Sequence, residues 1–340
     1  MKKIAILGLG FMGGMHAQAY GQLSKAQLTA AVEADPARAK KALKMLGLDL
    51  PVYPNLKALL AAEDVDVVDV CLPTDEHAEN ALAALKAGKH VFCEKPLARS
   101  VKEAEAVAKA ADKADGFFMV GLCIRFWPEY QSFVDFVKSK KAGKLLSLTM
   151  QRRSSRPLAS SKNWLQNSKR SGGAVFDLHI HDTDFVHHLL GAPKSVTSVG
   201  TRDFAGYSHI FTQYEFKNVA VSAEGGWNYP PNWGFQMAFQ AIFEKGAVEY
   251  DSRANPSMMV TLGNAKPAPL PFKAPSTKSS STGEGNISSL GGYFNELQYF
   301  INCLEAGKAP KLATAWQACE SLRTVFAEIE SADKGREVKL

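Results

Sequence analysis

Residues 2–13, Lys2-Lys3-Ile4-Ala5-Ile6-Leu7-Gly8-Leu9-Gly10-Phe11-Met12-Gly13, run an apolar strand straight into a G-x-G-x-x-G turn. Each glycine has a separate duty. Gly8 permits the tight turn, Gly10 lets the backbone approach a pyrophosphate, and Gly13 lets the next helix pack close to the strand. The helix N-terminus then offers free N–H groups and a partial positive charge to the phosphates. Glycine-rich turns are common, so context decides. Here the turn lies between a strand and an amphipathic segment, Met15 to Leu23. A second strand, Leu28 to Val32, ends in Glu33, 20 residues after Gly13, where a ribose-binding acid is expected. The stretch reads as a nicotinamide or flavin dinucleotide site, with Gly8, Gly10, Phe11, Met12 and Gly13 around the phosphates.

Outward from this motif the first third alternates strand and helix. Apolar runs predict strands over 3–7, 28–32, 66–71, 89–92 and 118–122. Alanine- and lysine-rich segments predict helices over 13–24, 36–46, 55–62, 76–87 and 100–113. Alternation of this kind implies a parallel, doubly wound sheet, ending near residue 123. Beyond it a helix is expected at 128–141, a strand at 144–153, an irregular stretch from Ser154 to Gly173, and a helix at about 174–190. Strand-like runs follow at 195–202, 210–216, 219–226, 234–243, 246–250 and 257–262, without helices between them. The second half therefore reads as α+β with a large, open, mainly antiparallel sheet. One face packs on helices and the other calls for a second subunit. Residues 264–289 read as a long exposed loop, and 291–305 and 312–332 as helices. The expected domains are 1–123 for the dinucleotide and 124–340 for substrate and oligomerisation, with the C-terminal helices able to pack back on the first.

The bulk numbers agree with a soluble globular protein. Of 340 residues, 46% are hydrophobic and 22% charged. The net charge of +6 is small and its lysines are scattered, which argues against nucleic-acid binding and leaves a modest attraction for anionic ligands. The five cysteines include no C-x-x-C pair, which suggests a reducing compartment. Lys2-Lys3 before an apolar run imitates a secretory signal. Four glycines interrupt that run, however, and cleavage would delete the first strand, so the expected location is cytoplasmic. No stretch reaches the ~18 apolar residues that would span a membrane.

Two further segments follow the carboxyl ends of parallel strands, where open α/β sheets bind ligands. One is Leu72-Pro73-Thr74 with His77, and the other is His90-Val-Phe-Cys93-Glu94-Lys95-Pro96. Lys95 follows a buried strand and precedes a stiffening proline, which marks a pocket position. A lysine there can exchange protons. In the second half, if the run from Gly172 is helical, Asp177, His181, Asp184 and His188 recur at spacings of four, three and four and share a face. Three readings of this stripe stay open. It is a polar helix face with a satisfied core histidine, or a proton-transfer group oriented by a carboxylate one turn away, or a metal site built on His179, His181, Asp182 and Asp184.

Taken together, these segments resemble the Gfo/Idh/MocA family over nearly the whole chain. The resemblance rests on Gly8-Leu-Gly10-Phe-Met-Gly13, on Pro73-Thr74-x-x-His77, on Gly88-Lys-His-Val-Phe-Cys-Glu94-Lys95-Pro96, and on Arg125-Phe-Trp-Pro128. The run Gly172-Gly173 to Asp177-x-x-x-His181-Asp182-x-Asp184 and the segment Tyr293-Phe-Asn-Glu296 complete it. It implies a Rossmann domain, NAD or NADP, and oxidation or reduction of sugars, polyols and related carbonyl compounds. It implies Lys95, Asp177 and His181 as the catalytic trio, with Arg125 and Trp164 bordering the nicotinamide or substrate. On this reading Glu33, Arg38, Leu72, Pro73, Thr74, His77, Glu94 and Lys95 also line the cofactor. Glu33 favours NAD, since it would repel a 2′-phosphate, while Arg38 leaves room for NADP. The expected substrate contacts are Lys95, Arg125, Asp177 and His181, with no metal. The expected partners are a small sugar or polyol and further copies of the chain, as a homodimer or homotetramer through the open sheet, with no nucleic acid and no membrane. Alternatives are a redox-neutral member holding NAD through a full cycle, a metal-dependent hydrolase, and a non-catalytic NAD-binding regulator.

Overall fold

The structure, a computed structural model, describes residues 1–157, 161–277 and 290–340. The chain divides into two compact units, Met1–Cys123 with Pro275–Cys319, and Ile124–Ala274 with Glu320–Leu340. The described residues of 275–319 thus group with the N-terminal unit.

The first unit is built on six parallel strands: β1 (Lys2–Leu7), β2 (Ala26–Val32), β3 (Val52–Tyr53), β4 (Val67–Val70), β5 (His90–Glu94) and β6 (Phe118–Gly121). Their order is β3-β2-β1-β4-β5-β6, so the winding reverses between β1 and β4. Helices α1 (Phe11–Tyr20), α2 (Pro36–Leu46), α3 (Leu56–Ala62), α4 (His77–Lys86) and α5 (Val101–Ala111) make the crossovers. The central strands are apolar on both faces: Ile4, Ala5, Leu7, Val67, Val68, Val70, Val91 and Phe92 are all fully buried. That is the pattern of a sheet covered on both sides, and each large side chain contributes roughly 1.5–3 kcal/mol of transfer free energy. Local signals set the helix starts. Asp35 caps α2 by accepting from Ala37 N and Arg38 N, with Pro36 at its first turn. Ser100 caps α5, its Oγ accepting from Glu103 N and donating to Glu103 Oε2. Two-residue β3 escaped the sequence reading because it is too short to show a period.

In the second unit, α6 (Pro128–Ser139) precedes β7 (Leu145–Ser155), followed by α7 (Ser168–Ser171) and α8 (Ile180–Leu190). Then come β8 (Ser195–Asp203), β9 (Gly206–Glu215), β10 (Ala220–Tyr229), β11 (Phe235–Phe243), β12 (Gly246–Asp251), β13 (Met258–Leu262) and β14 (Ala268–Pro269). Helix α9 (Gly291–Glu305) returns to the first unit, where Phe300 meets Phe92 edge-on at 5.7 Å. The unit boundary then falls inside α10 (Ala315–Lys334), and β15 (Val338–Lys339) ends the chain. The nine-stranded sheet runs β14-β13-β12-β11-β7-β10-β9-β8-β15. Its β7–β10 pair is parallel and its other pairs are antiparallel. This is the expected fold class.

One face of this sheet carries Met150, Phe239, Phe243 and Tyr250 onto α6 and α8. Ring centroids there lie 4.5 Å apart for Phe133–Phe239 and 4.9 Å for Tyr130–Phe185. The other face alternates outward with Thr149, Thr197, Gln213, Gln240 and Glu249, joined by exposed Val199, Phe211 and Ile242. The expected 154–173 stretch contains a 3-10 turn at Ser161–Gln166 and then α7; residues 158–160 lie outside the described residues. Of the expected 264–289 loop, 264–277 includes β14, while 278–289 lies outside the described residues.

The expected helix over 174–190 is not one α-helix. It opens as a π-helical turn, Val175–His179, and becomes α-helical at Ile180. Tertiary packing explains the wider turn. Gly225 of β10 sits so close that a Cβ there would lie 2.6 Å from His179 Nδ1. Gly173, with φ +80°, similarly presses on Ala205 O.

Candidate active site

In the first unit the nucleotide cradle has the geometry its glycines require. Gly8 adopts φ +91°, and its N–H donates to Val32 O at 2.8 Å. A Cβ at Gly8 would lie 2.7 Å from Cys71 O, and one at Gly13 would lie 1.9 Å from Gly8 O. Gly10 has nothing within 4 Å of its missing Cβ, so the backbone lies open where a pyrophosphate would approach. No side chain caps α1, which leaves its N-terminal dipole to a ligand. A cradle tight at two glycines and open at the third fits a dinucleotide.

Glu33 directly follows β2 and is almost wholly buried. Its Oε2 accepts from Arg38 Nη2 at 2.6 Å and its Oε1 from Asp35 N at 3.1 Å. The two residues expected to decide between NAD and NADP thus form one ion pair. Leu72, Pro73 and Thr74 follow β4, and Thr74 is buried. His77 ties this turn to the next. Its Nε2 lies 2.7 Å from Leu72 O and its Nδ1 2.7 Å from Pro96 O. Both partners are carbonyl acceptors, so the ring meets both only when doubly protonated, whereas burial pulls its pKa below the ordinary histidine value. His77 therefore acts on the site by holding two turns together. Lys95 follows β5, half-buried, and the Lys95–Pro96 peptide is cis. Glu94 Oε2 accepts the Lys95 backbone N–H at 3.0 Å.

In the second unit Asp177 sits half-buried in the π turn and His181 is buried in the first turn of α8. The neighbouring charges are spent on ion pairs. Arg125 grips Asp184 with two bonds of 2.8 and 2.7 Å, and Ser321 adds a third at 2.7 Å. Arg152 grips Asp182 at 3.1 and 2.8 Å. His179 Nε2 lies 3.2 Å from Glu328 Oε2 and 3.4 Å from the Tyr214 hydroxyl. These contacts correct the expected stripe: the π turn shifts the phase of Asp177, and Asp184 belongs to Arg125. They also remove the basis for a metal site at His179, His181, Asp182 and Asp184, because the guanidinium groups already neutralise both carboxylates. Among the described residues, ligand-type side chains close enough to hold an ion are His16/Asp69/Cys71 and His16/Glu94/Glu296 in the first unit. Trp164 lies half-buried in the 3-10 turn Ser161–Gln166.

Sequence reasoning missed Arg152, Glu328 and the His16 cluster. Nothing local marks them, since each partner lies on a distant segment. The Gly225-Gly226 pair inside a strand was the one available signal of a close approach.

Residues 2–122 match the profile described as "Oxidoreductase family, NAD-binding Rossmann fold", and residues 130–249 match the GFO/IDH/MocA C-terminal domain. The chain is 28% identical over 316 residues to inositol 2-dehydrogenase of Rhizobium meliloti (strain 1021), covering 90% of this chain and 89% of that protein. It is 30% identical over 207 residues to levoglucosan dehydrogenase of Pseudarthrobacter phenanthrenivorans, covering 58% of this chain and 53% of that one. In fold it is similar to an oxidoreductase from Agrobacterium radiobacter solved with NAD+, L-tartaric acid and magnesium (TM-score 0.86, 21% identity, 99% and 98% of the two chains). A levoglucosan dehydrogenase solved with NADH and levoglucosan is similar too (TM-score 0.84, 22% identity, 99% of each chain). With both domain profiles matched in order behind the Gly8–Gly10–Gly13 cradle, the chain belongs to the GFO/IDH/MocA family of NAD-binding oxidoreductases.

Proposed function

We propose that this enzyme moves a hydride between a carbinol carbon of a sugar or polyol and NAD, with Lys95, Asp177 and His181 at the reacting oxygen. The observation that carries the reading is the cradle: a φ +91° Gly8, an open Gly10 and a tightly packed Gly13, ahead of a β2 strand followed directly by the buried carboxylate of Glu33. The relatives named for inositol and levoglucosan supply the substrate class. When bound, the nicotinamide supplies the hydride acceptor. His181 takes the hydroxyl proton as the C–H bond breaks and a carbonyl forms, and Asp177 orients substrate and imidazole. Lys95 hydrogen-bonds the same oxygen and stabilises negative charge growing there. Glu33 receives the adenosine ribose hydroxyls, with Arg38 beside it able to meet a 2′-phosphate in NADP.

On this reading residues 1–123 are the cofactor domain, joined by α9, and 124–340 carry substrate and assembly surfaces. A second copy of the chain covers the open face of the nine-stranded sheet, around Phe211 and Ile242. Five free cysteines, four of them buried, suit a reducing, cytoplasmic setting. Among the described residues no helix is long and apolar enough to cross a membrane.

The test is NAD reduction across a panel of sugars and cyclitols. Lys95→Ala and His181→Ala should each lower kcat by ~10²-fold or more, with NAD affinity by calorimetry unchanged. Full activity in both variants on a substrate of the wild-type enzyme would remove the assignment. Nicotinamide absorbance surviving exhaustive dialysis would mark the redox-neutral variant of this chemistry.

A further inference from the structure

Behind Lys95, in the first unit, lies a buried group of titratable side chains that hydride transfer does not use. Helix α1 brings His16 and Tyr20, β4 and the turn after it bring Asp69 and Cys71, β5 brings Cys93 and Glu94, and α9 brings Tyr293 and Glu296. All are buried. His16 Nδ1 lies 2.8 Å from Asp69 Oδ2 and 3.3 Å from Cys71 Sγ, and its Nε2 lies 3.2 Å from Glu94 Oε1. Ligand-type atoms of His16, Glu94 and Glu296 lie within 4.8 Å of one another. Both carboxylate oxygens of Glu296 are buried and make no hydrogen bond among the described residues. Around this cluster His16 supplies one cation, and Asp69 and Glu94 already supply two anions. Among the described residues Glu296 has no ion-pair partner, and burying a lone carboxylate is far more costly than keeping its proton.

We propose that Glu296 is held as a neutral carboxylic acid, and that Glu296 and His16 are positioning residues that keep Glu94 anionic behind Lys95. Glu94 then fixes the Lys95 backbone, its Oε2 accepting the Lys95 N–H at 3.0 Å. Gly121 leaves the room this needs, since a Cβ there would lie 2.9 Å from Glu94 Oε1. The electrostatics agree in direction. Burial and the nearby Glu94 charge push Glu296 well above the ordinary carboxyl range. Burial would raise Glu94 too, but His16, Lys95 and His77 outweigh it and hold it low. Burial would lower His16, yet the charge and hydrogen bond of Asp69, with the Cys71 contact, leave it well above the ordinary value.

The proposal rests on the hydride-transfer reading for Lys95 but not for the neutral acid, and the experiment separates the two. Native Glu296 keeps a proton that the unfolded chain releases above its ordinary range. Wild-type stability should therefore fall as pH rises from about 5 to 8, and Glu296→Gln should abolish that component. The expected result is a Tm difference, Gln variant minus wild type, that widens toward higher pH. A difference that is constant or shrinks would overturn the neutral acid. If the variant does not fold, infrared spectroscopy of wild-type protein near pH 8 decides. A protonated buried carboxyl band supports the proposal, and its absence, or one divalent ion per chain by elemental analysis of purified protein, overturns it. For the positioning role, Glu94→Gln should lower kcat ~10-fold or more while the substrate KM changes little. A Glu94→Gln enzyme with wild-type kcat would overturn the positioning role. Protein that oxidises no sugar or cyclitol yet keeps the infrared band loses the reading of Lys95 and retains the neutral acid.

Discussion

At the scale of single residues, the three glycines of the cradle divide binding from folding. Gly10 faces open space, so Gly10→Ala adds a methyl group where a pyrophosphate would lie without striking protein. It should cost no more than about 1 kcal/mol of stability, the usual range for losing a glycine N-cap, while weakening NAD ~10-fold or more. Gly13→Ala places its methyl 1.9 Å from Gly8 O and should lose about 1–3 kcal/mol or more in folding itself. Paired urea melts and NAD titrations distinguish the two, and equal behaviour would contradict the geometry. His209 gives a residue-scale pH effect. Burial pulls its pKa down, but bonds to Glu224 and Asn228 and the Glu224 charge leave it above the ordinary 6.5. A raised folded pKa gives stability that is complete below the unfolded value and is lost as pH rises through the folded one. His209→Gln should therefore flatten the decline in Tm above about pH 6.5, and an unchanged slope would show that the ring titrates normally.

At the scale of elements, α8 is anchored by two arginines rather than by apolar packing alone. Arg125 lies in the turn Cys123–Phe126 and Arg152 on β7, each engaging one carboxylate of the helix through two bonds. Removing one partner of such a buried pair leaves a charge without compensation, at a cost of about 3–5 kcal/mol. Arg125→Met should show this loss by chemical denaturation, and Arg125→Met with Asp184→Leu should recover most of it. A double variant as unstable as the single one would mean that Arg125 acts chiefly through other contacts. The structure thus corrects the geometry of the polar stripe legible in the sequence. Asp177 and His181 stand at the start of the helix, but Asp184 serves folding. The spacing alone could not show this, because a π turn and an α turn are written in the same letters. What separates them is the approach of Gly225 to His179 from 46 residues away.

At the scale of the whole molecule, the large sheet leaves a face on which polar side chains alternate and Val199, Phe211 and Ile242 stand exposed. The proposed pairing of two chains through this face would cover these side chains. Light scattering should find more than one chain per particle, and Phe211→Glu with Ile242→Glu should shift the mass toward a single chain while leaving NAD affinity intact. A monomeric wild-type protein would refute the assignment of that face.

Much of this organisation was readable before any coordinates. Strand–helix alternation, the G-x-G-x-x-G turn, Glu33, and the change to consecutive strands after residue 123 are local patterns, and periodicity and glycine chemistry act over a few residues. The pairing of charges was not readable. Whether Asp182 and Asp184 face a ligand or an arginine, whether His77 binds or braces, and whether Glu296 carries a proton depend on which distant segments the fold lays beside them. Sequence alone determined the elements and the cradle, because short-range sterics and burial period dictate them. Only the tertiary structure decided the state and partners of the buried charges, because desolvation and Coulomb energy depend on neighbours in space rather than in sequence.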